Sequence, residues 1–416
     1  MQKETFSHAI DNVKYFLKWS VISLITGAVG GAAGGLFYLA IAYVTSFRKA
    51  HDFMLYLMPI AGLIIVFLYK ITKEEKNRGT NMILESISSD EKITVITGPL
   101  IFISSVLTHL VGGSAGREGA ALQIGGSLGS GISRLLRLDE KDGKVAVMCG
   151  MSAVFSALFG TPVAAAVFSI EVISIGVMYY SALVPCLFSA FIGMQFAGFL
   201  GVVPEKFTIV NAPALSVKGM LLIILLGILC SVVSVIFCMG LHGTEKLYKK
   251  FIPNAYIRIL AASAIFILLT VISGTRLYNG SSMELITDSL SGSIGYGAFF
   301  LKMIFTAVCL GGGFKGGEIV PTLCVGASFG CAFGMLAGFS PSLCAACGMV
   351  ALFVGVTNCP VASLMIALEL FGGTNMSYFA IVIAVTFALS GYYGLYSSQK
   401  FAYSKTKAEF INRKSH

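Results

Sequence analysis

The chain alternates long apolar segments with short polar ones, and this pattern predicts helices that cross a membrane. Most of the long runs reach or approach the ~20 residues that a helix needs to span the hydrocarbon core. The long runs are Val21–Val44, Met54–Tyr69, Val95–Val111, Ala182–Leu200, Met220–Cys238, Ile257–Ile272 and Tyr378–Tyr393. Two shorter runs, Ala327–Ala337 and Val361–Leu370, predict broken or re-entrant helices packed inside the protein.

An internal repeat divides the chain. Residues 162–171 read PVAAAVFSIE and residues 360–369 read PVASLMIALE, and a glycine-rich segment precedes each, at 116–129 and 317–330. Chance likeness between two small-residue helices is the alternative explanation. Two related halves are typical of secondary transporters, whose interrupted helices meet near the midplane. We therefore expect one transmembrane transport domain over residues 1–416, with approximate halves 15–205 and 215–400 and no appended soluble domain.

Composition agrees with this interpretation and excludes other classes. The 416 residues are 56% hydrophobic and 12% charged, with a mean hydropathy of +0.85, whereas about 25% of the residues of a soluble domain are charged. Most of the surface should therefore face the lipid bilayer. The net charge is +9, but the basic residues lie between the apolar segments and at the chain ends, so nucleic-acid binding is not expected. Basic residues in the tail from Lys400 and in Lys70–Arg78 predict a multi-pass cell-membrane protein with both termini cytoplasmic.

The sequence gives little sign of an enzyme or of a metal centre. Ten cysteines lie mostly in apolar segments, and the Cys344–Cys347 CxxC spacing is better explained by ordinary core residues. No disulfide framework, metal or cofactor is predicted. Paired acids at catalytic spacing, HExxH and a nucleophile with a base are all missing, so a membrane-embedded enzyme is the weakest of the three functional hypotheses.

The segment GGSAGREG, residues 112–119, predicts an anion site. Its glycines leave backbone N–H groups uncovered just before a helix whose dipole points back at them. Gly116, Arg117 and Gly119 are its candidate anion-binding positions. Glu118 lies in this site, and a carboxylate inside a membrane is a functional hypothesis by default. We expect the carboxylate to occupy the anion position and to leave it on protonation. The alternative is that Glu118 only caps the helix and pairs with Arg117.

A second glycine element, GGGFKGGEIVP at residues 311–321, predicts another set of helix N-terminal amides. Gly317, Ile319 and Val320 are its candidate anion-binding positions. Two interpretations of Glu318 are open. It is either a second titrating group on the pathway or a structural cap paired with Lys315.

Two further segments complete the candidate site. Gly79, Thr80, Asn81 and Met82 precede a short amphiphilic turn and look like a helix start. Thr80 and Asn81 either donate side-chain hydrogen bonds to an anion or cap their own helix. Tyr396 follows the last long span and either brings a phenol O–H inward or is an interfacial aromatic residue.

Taken in this order, the four elements resemble the CLC family of anion channels and proton-coupled anion exchangers. Residues 116–119 match the family's GREGP element, with Ala120 in place of its proline, and Tyr396 aligns with the family's coordinating tyrosine. The resemblance covers roughly residues 15–400. It implies an all-α polytopic membrane fold of two inverted halves with re-entrant helices, and a homodimer with one anion pathway per subunit.

Three departures from the family pattern point to its fluoride-exporting branch. The family's GSGIP element is replaced at residues 79–82, and Phe314–Pro321 read FKGGEIVP, similar to that branch's FKGGEVTP. The internal proton-handling glutamate of chloride exchangers would fall at Val172. These features favour a fluoride/proton antiporter, although Val320 departs from the branch's threonine. A chloride/proton exchanger or a passive chloride channel on the same scaffold is the alternative.

Fluoride would need donors that replace its water. It is small and strongly hydrated, so dehydration is costly unless many good hydrogen-bond donors surround it. Backbone amides together with Thr80 and Asn81 are the expected donors. The sequence therefore predicts a proton-coupled fluoride exporter in which Glu118 and Glu318 are the candidate proton-handling groups.

Overall fold

A computed structural model describes residues 2–89, 91 and 93–416. The α-helices are α1 Gln2–Ala50, α2 Met58–Ile71, α3 Thr80–Ser88, α4 Thr97–Leu110, α5 Glu118–Leu135, α6 Glu140–Phe159, α7 Pro162–Glu171, α8 Leu183–Phe199, α9 Val217–Phe251, α10 Ala255–Ser273, α11 Met283–Ser291, α12 Ala298–Gly312, α13 Ile319–Ala337, α14 Pro341–Thr357, α15 Pro360–Phe371 and α16 Met376–Leu389. The strands are β1 Ser174–Ile175, β2 Lys400–Tyr403 and β3 Phe410–Lys414, and short 3₁₀ helices cover Asp52–Leu57 and Tyr180–Ala182.

The prediction of an all-α polytopic membrane fold is confirmed, and a small terminal sheet is added to it. Seven helices of the described chain are long and apolar enough to cross a membrane. The apolar run Ala327–Ala337 is only the second half of α13, so the helix predicted there is longer than expected. Sequence reasoning missed α6, α11, α12 and α14. Helix α6 was hidden because it begins with the charged residues of Glu140–Lys144.

Each half contains the same close helix crossing. A Cβ added at Gly125 on α5 would lie 2.2 Å from the carbonyl oxygen of Gly150 on α6. In the second half, a Cβ added at Gly326 on α13 would lie 2.3 Å from the carbonyl oxygen of Gly348 on α14. Small residues therefore let two backbones touch in both halves. The ten cysteines are free and buried, as expected of core residues.

Helices α7 and α15 exchange their N-terminal caps. The Glu369 carboxylate of α15 accepts hydrogen bonds from the N–H groups of Val163 and Ala164 at the start of α7, at 3.0 and 2.8 Å. Glu171 of α7 accepts from the first turn of α15 in the same way, at 3.1 and 2.8 Å. Both helices begin with proline, which lacks an N–H, so these bonds satisfy the next free donors. The repeated glutamate of one half thus completes a helix of the other half.

Both ends of the chain lie at the same face of the molecule. Near the N-terminus, the Tyr15 hydroxyl donates to the carbonyl oxygen of Ser181, just before α8. Near the C-terminus, β2 pairs in parallel with β1 and antiparallel with β3, and β1 precedes Ser181 by only a few residues. Because α8 starts at this face, the linker at residues 200–216 lies at the opposite face, as does the end of α1.

Candidate functional site: a junction of helix N-termini

The starts of α5 and α13 meet in the interior. Gly116 and Gly317 form a two-residue antiparallel bridge, in which each N–H donates to the other's carbonyl oxygen at 2.6 and 2.7 Å. The first N–H groups of a helix have no intrahelical partner and carry the positive end of its dipole. Two such ends, one from each half, therefore converge on one point. Such a pair of helix N-termini is the kind of arrangement that can bind an anion through backbone amides.

Glycine is required at this junction because the backbones are nearly in contact. A Cβ added at Gly317 would lie 2.4 Å from the backbone nitrogen of Gly119. A Cβ at Gly119 would lie 2.9 Å from the Cα of Gly317. Real side-chain carbons do not approach other atoms so closely, so the sequence pattern of glycines has a direct steric reason.

The Glu118 carboxylate lies at the junction, fully buried. Its Oε2 accepts from the Arg117 N–H at 3.0 Å, and the Val320 N–H of α13 faces the same group. Its Oε1 has no hydrogen-bond partner in the described chain and lies 3.4 Å from Nε of Arg117. The side chain thus lies between the two helix starts. The close approach of Glu118 to Arg117 also agrees with the alternative that Glu118 only caps α5 and pairs with Arg117. The gating role of Glu118 therefore stays a prediction.

Glu318 lies on the other side of the bridge. Its Oε2 is buried without a hydrogen-bond partner in the described chain, 3.1 Å from a Cβ position built at Gly119. It makes no side-chain cap to α13. Lys315 lies over the ring of Tyr69, 4.4 Å from its centroid, and forms no ion pair with Glu318 among the described residues. The alternative of a cap paired with Lys315 is therefore wrong.

The third helix start, α3, is tied to both neighbouring elements. Gly79 precedes it with φ of 63°, a conformation that favours glycine. The Thr80 hydroxyl donates to the Gly119 carbonyl oxygen at 3.3 Å. The Asn81 Oδ1 accepts from the N–H and the hydroxyl of Ser398, at 3.0 and 2.8 Å. Neither side chain caps α3, so the capping interpretation of these two residues is wrong. Met82 is partly buried against the hydrophobic core.

Tyr396 is buried, which excludes the interfacial alternative. Its loop is held because the Leu395 N–H donates to the Val356 carbonyl oxygen at 2.9 Å. The phenol oxygen has no hydrogen-bond partner in the described chain, and Ser398, two residues further on, donates to Asn81 at the start of α3. The structure thus brings Tyr396 to the same junction as the two glutamates.

Sequence reasoning missed two polar residues near the junction. Gln123 is buried on α5, where its Nε2 donates to the Gly119 carbonyl oxygen at 3.2 Å and its Oε1 has no partner in the described chain. Its spacing of four residues from Gly119 was the signal, since such positions share one helix face. Lys302 of α12 is fully buried and donates to Ser114 at 2.8 Å, behind the first glycine loop. The sequence signal for a buried polar site was a single lysine within an apolar segment.

The contact between Asn81 and Ser398 gives a testable prediction. We expect Asn81→Ala to lower anion transport up to about thirtyfold, because two hydrogen bonds that hold the Tyr396 loop are lost, each contributing roughly 1 kcal/mol. Ser398→Ala keeps the backbone N–H contact and should lose less. Flux from liposomes measures both. If Ser398→Ala is unchanged while Asn81→Ala alters fluoride-to-chloride preference alone, Asn81 contacts the ion rather than holding the loop.

The fold and the junction together define a polytopic membrane protein with an anion-type site between two halves. The chain belongs to the voltage-gated chloride channel family, whose family model matches residues 61–391. This confirms the resemblance to the CLC family.

Relatives and solved structures agree with this membership. The chain is 31% identical to a chloride/fluoride channel protein of Pseudomonas syringae pv. tomato, over 97% of this chain and 91% of the relative. It superposes on the crystal structure of a CLC-type fluoride/proton antiporter with a TM-score of 0.89 and 30% identity, covering 93% of this chain and 98% of that one. A slow cyanobacterial Cl⁻/H⁺ antiporter shares the fold, with a TM-score of 0.76 and 17% identity over 89% and 94% of the two chains.

Proposed function

We propose that this protein is a fluoride/proton antiporter that exports fluoride as protons enter. The observation that carries the proposal is the Glu118 carboxylate held between the N-termini of α5 and α13. While it is charged, it fills the anion position. Once protonated, it loses its attraction to the two helix dipoles, and a free anion replaces it. Proton and anion then compete for one site, which couples their movements.

Fluoride is favoured over chloride by the donors and acids at the junction. A dehydrated fluoride ion needs several strong donors. The amides of the two helix starts and the unpartnered hydroxyl of Tyr396 supply them. Glu318 adds a second carboxylate at the bridge, and the likeness to a CLC-type fluoride/proton antiporter supports the same substrate. In this proposal Glu318 is a second proton-handling group.

The buried apolar Val172 also supports this branch. The Val172 side chain is fully buried, and its carbonyl oxygen accepts a hydrogen bond from Gln399 at 2.9 Å. A carboxylate is absent from the position where the resemblance puts the internal proton acceptor of chloride exchangers. Protons would then reach the junction without a proton-accepting side chain at position 172. A chloride exchanger or a passive chloride channel is the second candidate, favoured by the chloride named for the Pseudomonas relative.

The two chain ends at one face support a proposal for the orientation in the membrane. The tail beyond Lys400 is rich in lysine, and this supports a cytoplasmic location of that face by the positive-inside rule. The protein would lie in the cell membrane, with the linker at residues 200–216 outside. Helices α8 and α16 also carry exposed apolar residues, which is consistent with the proposed homodimer as well as with lipid contact.

A liposome flux experiment tests the substrate. Purified protein is reconstituted, loaded with fluoride or chloride, and diluted while external anion and pH are recorded. We expect fluoride to leave at least about tenfold faster than chloride, a difference worth roughly 1.4 kcal/mol, with protons moving inward. Protein-free liposomes correct for permeation of HF. Equal rates for the two anions would contradict the fluoride proposal, and fluoride flux without proton movement would contradict antiport.

A further inference from the structure

Arg117 is shared between two carboxylates, one at the junction and one in the linker between the halves. Its Nε lies 3.4 Å from Oε1 of Glu118, and its Nη2 lies 2.7 Å from Oε1 of Glu205. The exposed fractions of the three side chains rise outward, from 0% for Glu118 to 9% for Arg117 and 23% for Glu205. The Glu205 N–H donates to the carbonyl oxygen of Phe159 at 3.0 Å, which fixes the backbone of the linker.

Glu205 changes the energetic consequence of neutralising Glu118. Removing one partner of a buried ion pair is strongly destabilising, because the remaining charge is left uncompensated. Arg117 avoids this state, since Glu205 still holds it when Glu118 is protonated. Without the charge of Glu205, the buried guanidinium would depend on Glu118 alone, and protonation of Glu118 would become less favourable.

Other ionisable groups act on this pair but do not replace Glu205. The groups that face Arg117 or Glu118 from the neighbouring elements are Tyr38, His109, Glu318, Cys324 and Tyr396. Tyr38 lies under the guanidinium, 4.8 Å from it. Among the described residues, Arg117 forms ion pairs with two acids, Glu118 and Glu205.

We propose that Glu205 is a positioning residue for the gate, which retains Arg117 and thereby lets Glu118 accept a proton. The inference rests on the proposed antiport through Glu118. Glu205 touches neither the anion nor the transferred proton. It acts through Arg117, from the face opposite the chain ends.

The pH profile of transport tests this role. Fluoride efflux from liposomes is measured from about pH 5.5 to about pH 8.5, with the same pH on both sides. Glu205→Gln should move the half-maximal pH toward acid by about one unit, which is about tenfold lower efflux on the alkaline side of the profile. Efflux should recover at the acid end of the range. Glu205→Ala is a second neutral variant and should shift in the same direction.

Two variants separate this role from general effects. Glu205→Asp keeps the charge and should retain most of the normal profile. Glu284→Gln removes an acid of the same face, paired with Lys49 at the end of α1, and should leave the profile unchanged. A uniform loss at every pH, no shift, or a shift toward alkali in the neutral variants would overturn the inference. Failure of the wild-type protein to couple fluoride to protons would instead overturn the proposed function.

Discussion

Glu118→Gln is expected to abolish proton coupling while fluoride still flows down its gradient. The amide has nearly the same shape as the protonated carboxyl but cannot release a proton at any accessible pH. It also cannot return as an anion to the two helix starts, so fluoride no longer competes with a charge. We expect proton uptake during fluoride efflux to fall at least about a hundredfold, a change of roughly 2.7 kcal/mol. Simultaneous recording of fluoride and pH measures it.

Glu369→Gln is the matched control for this result. It neutralises another glutamate whose carboxylate accepts hydrogen bonds from the first N–H groups of a helix. That helix is α7, and the carboxylate lies outside the junction of α5 and α13. The variant should keep its proton coupling, even where its thermal stability is lower. If Glu118→Gln still moved protons against a fluoride gradient, competition at this carboxylate would not be the coupling mechanism.

Gly317→Ala is expected to have the second large effect. The added methyl group would lie 2.4 Å from the Gly119 nitrogen and 3.1 Å from the Glu118 nitrogen, so α13 must move away from α5. Overpacking of this kind costs about 1–3 kcal/mol. We expect a loss of fluoride transport of at least about tenfold, because the converging amides separate. Efflux rates of purified, monodisperse protein provide the measurement.

Gly243→Ala tests whether any extra methyl group in a helix has this effect. Gly243 lies inside α9 with open space around its Cβ position, so its variant should transport normally. Wild-type efflux from Gly317→Ala would show that the close bridge to Gly116 is dispensable. Equal losses in both variants would point to a general effect on stability.

The sequence was sufficient to locate the helix starts of the site but not their partners. Glycines that precede a helix have a local physical cause, so Gly116 and Gly317 were recognised from the chain alone. The bond between Asn81 and Ser398 joins residues 317 positions apart, and no local pattern indicates it. Lys315 illustrates the same limit, since its nearness to Glu318 in sequence suggested an ion pair while the fold turns it to Tyr69.

The repeated glutamates show a different limit. Their positions at the ends of PVAAAVFSIE and PVASLMIALE revealed the two halves, and the apolar segments predicted most of the helices. That each carboxylate caps the helix of the other half depends on how the halves meet. Likewise, the contact of Glu205 with Arg117 crosses from the linker to the junction, and the spacing of charges along the chain does not indicate it.

The exchanged caps of Glu171 and Glu369 have a consequence for how the protein is made. When synthesis has reached only the first half, the start of α7 lacks its partner from α15, and Glu171 has no amides to bind. Unpaired polar groups in a membrane are costly. The first half therefore stays incompletely folded until the second half has been inserted beside it. Two separately expressed halves would be stable only after they had found each other in the bilayer.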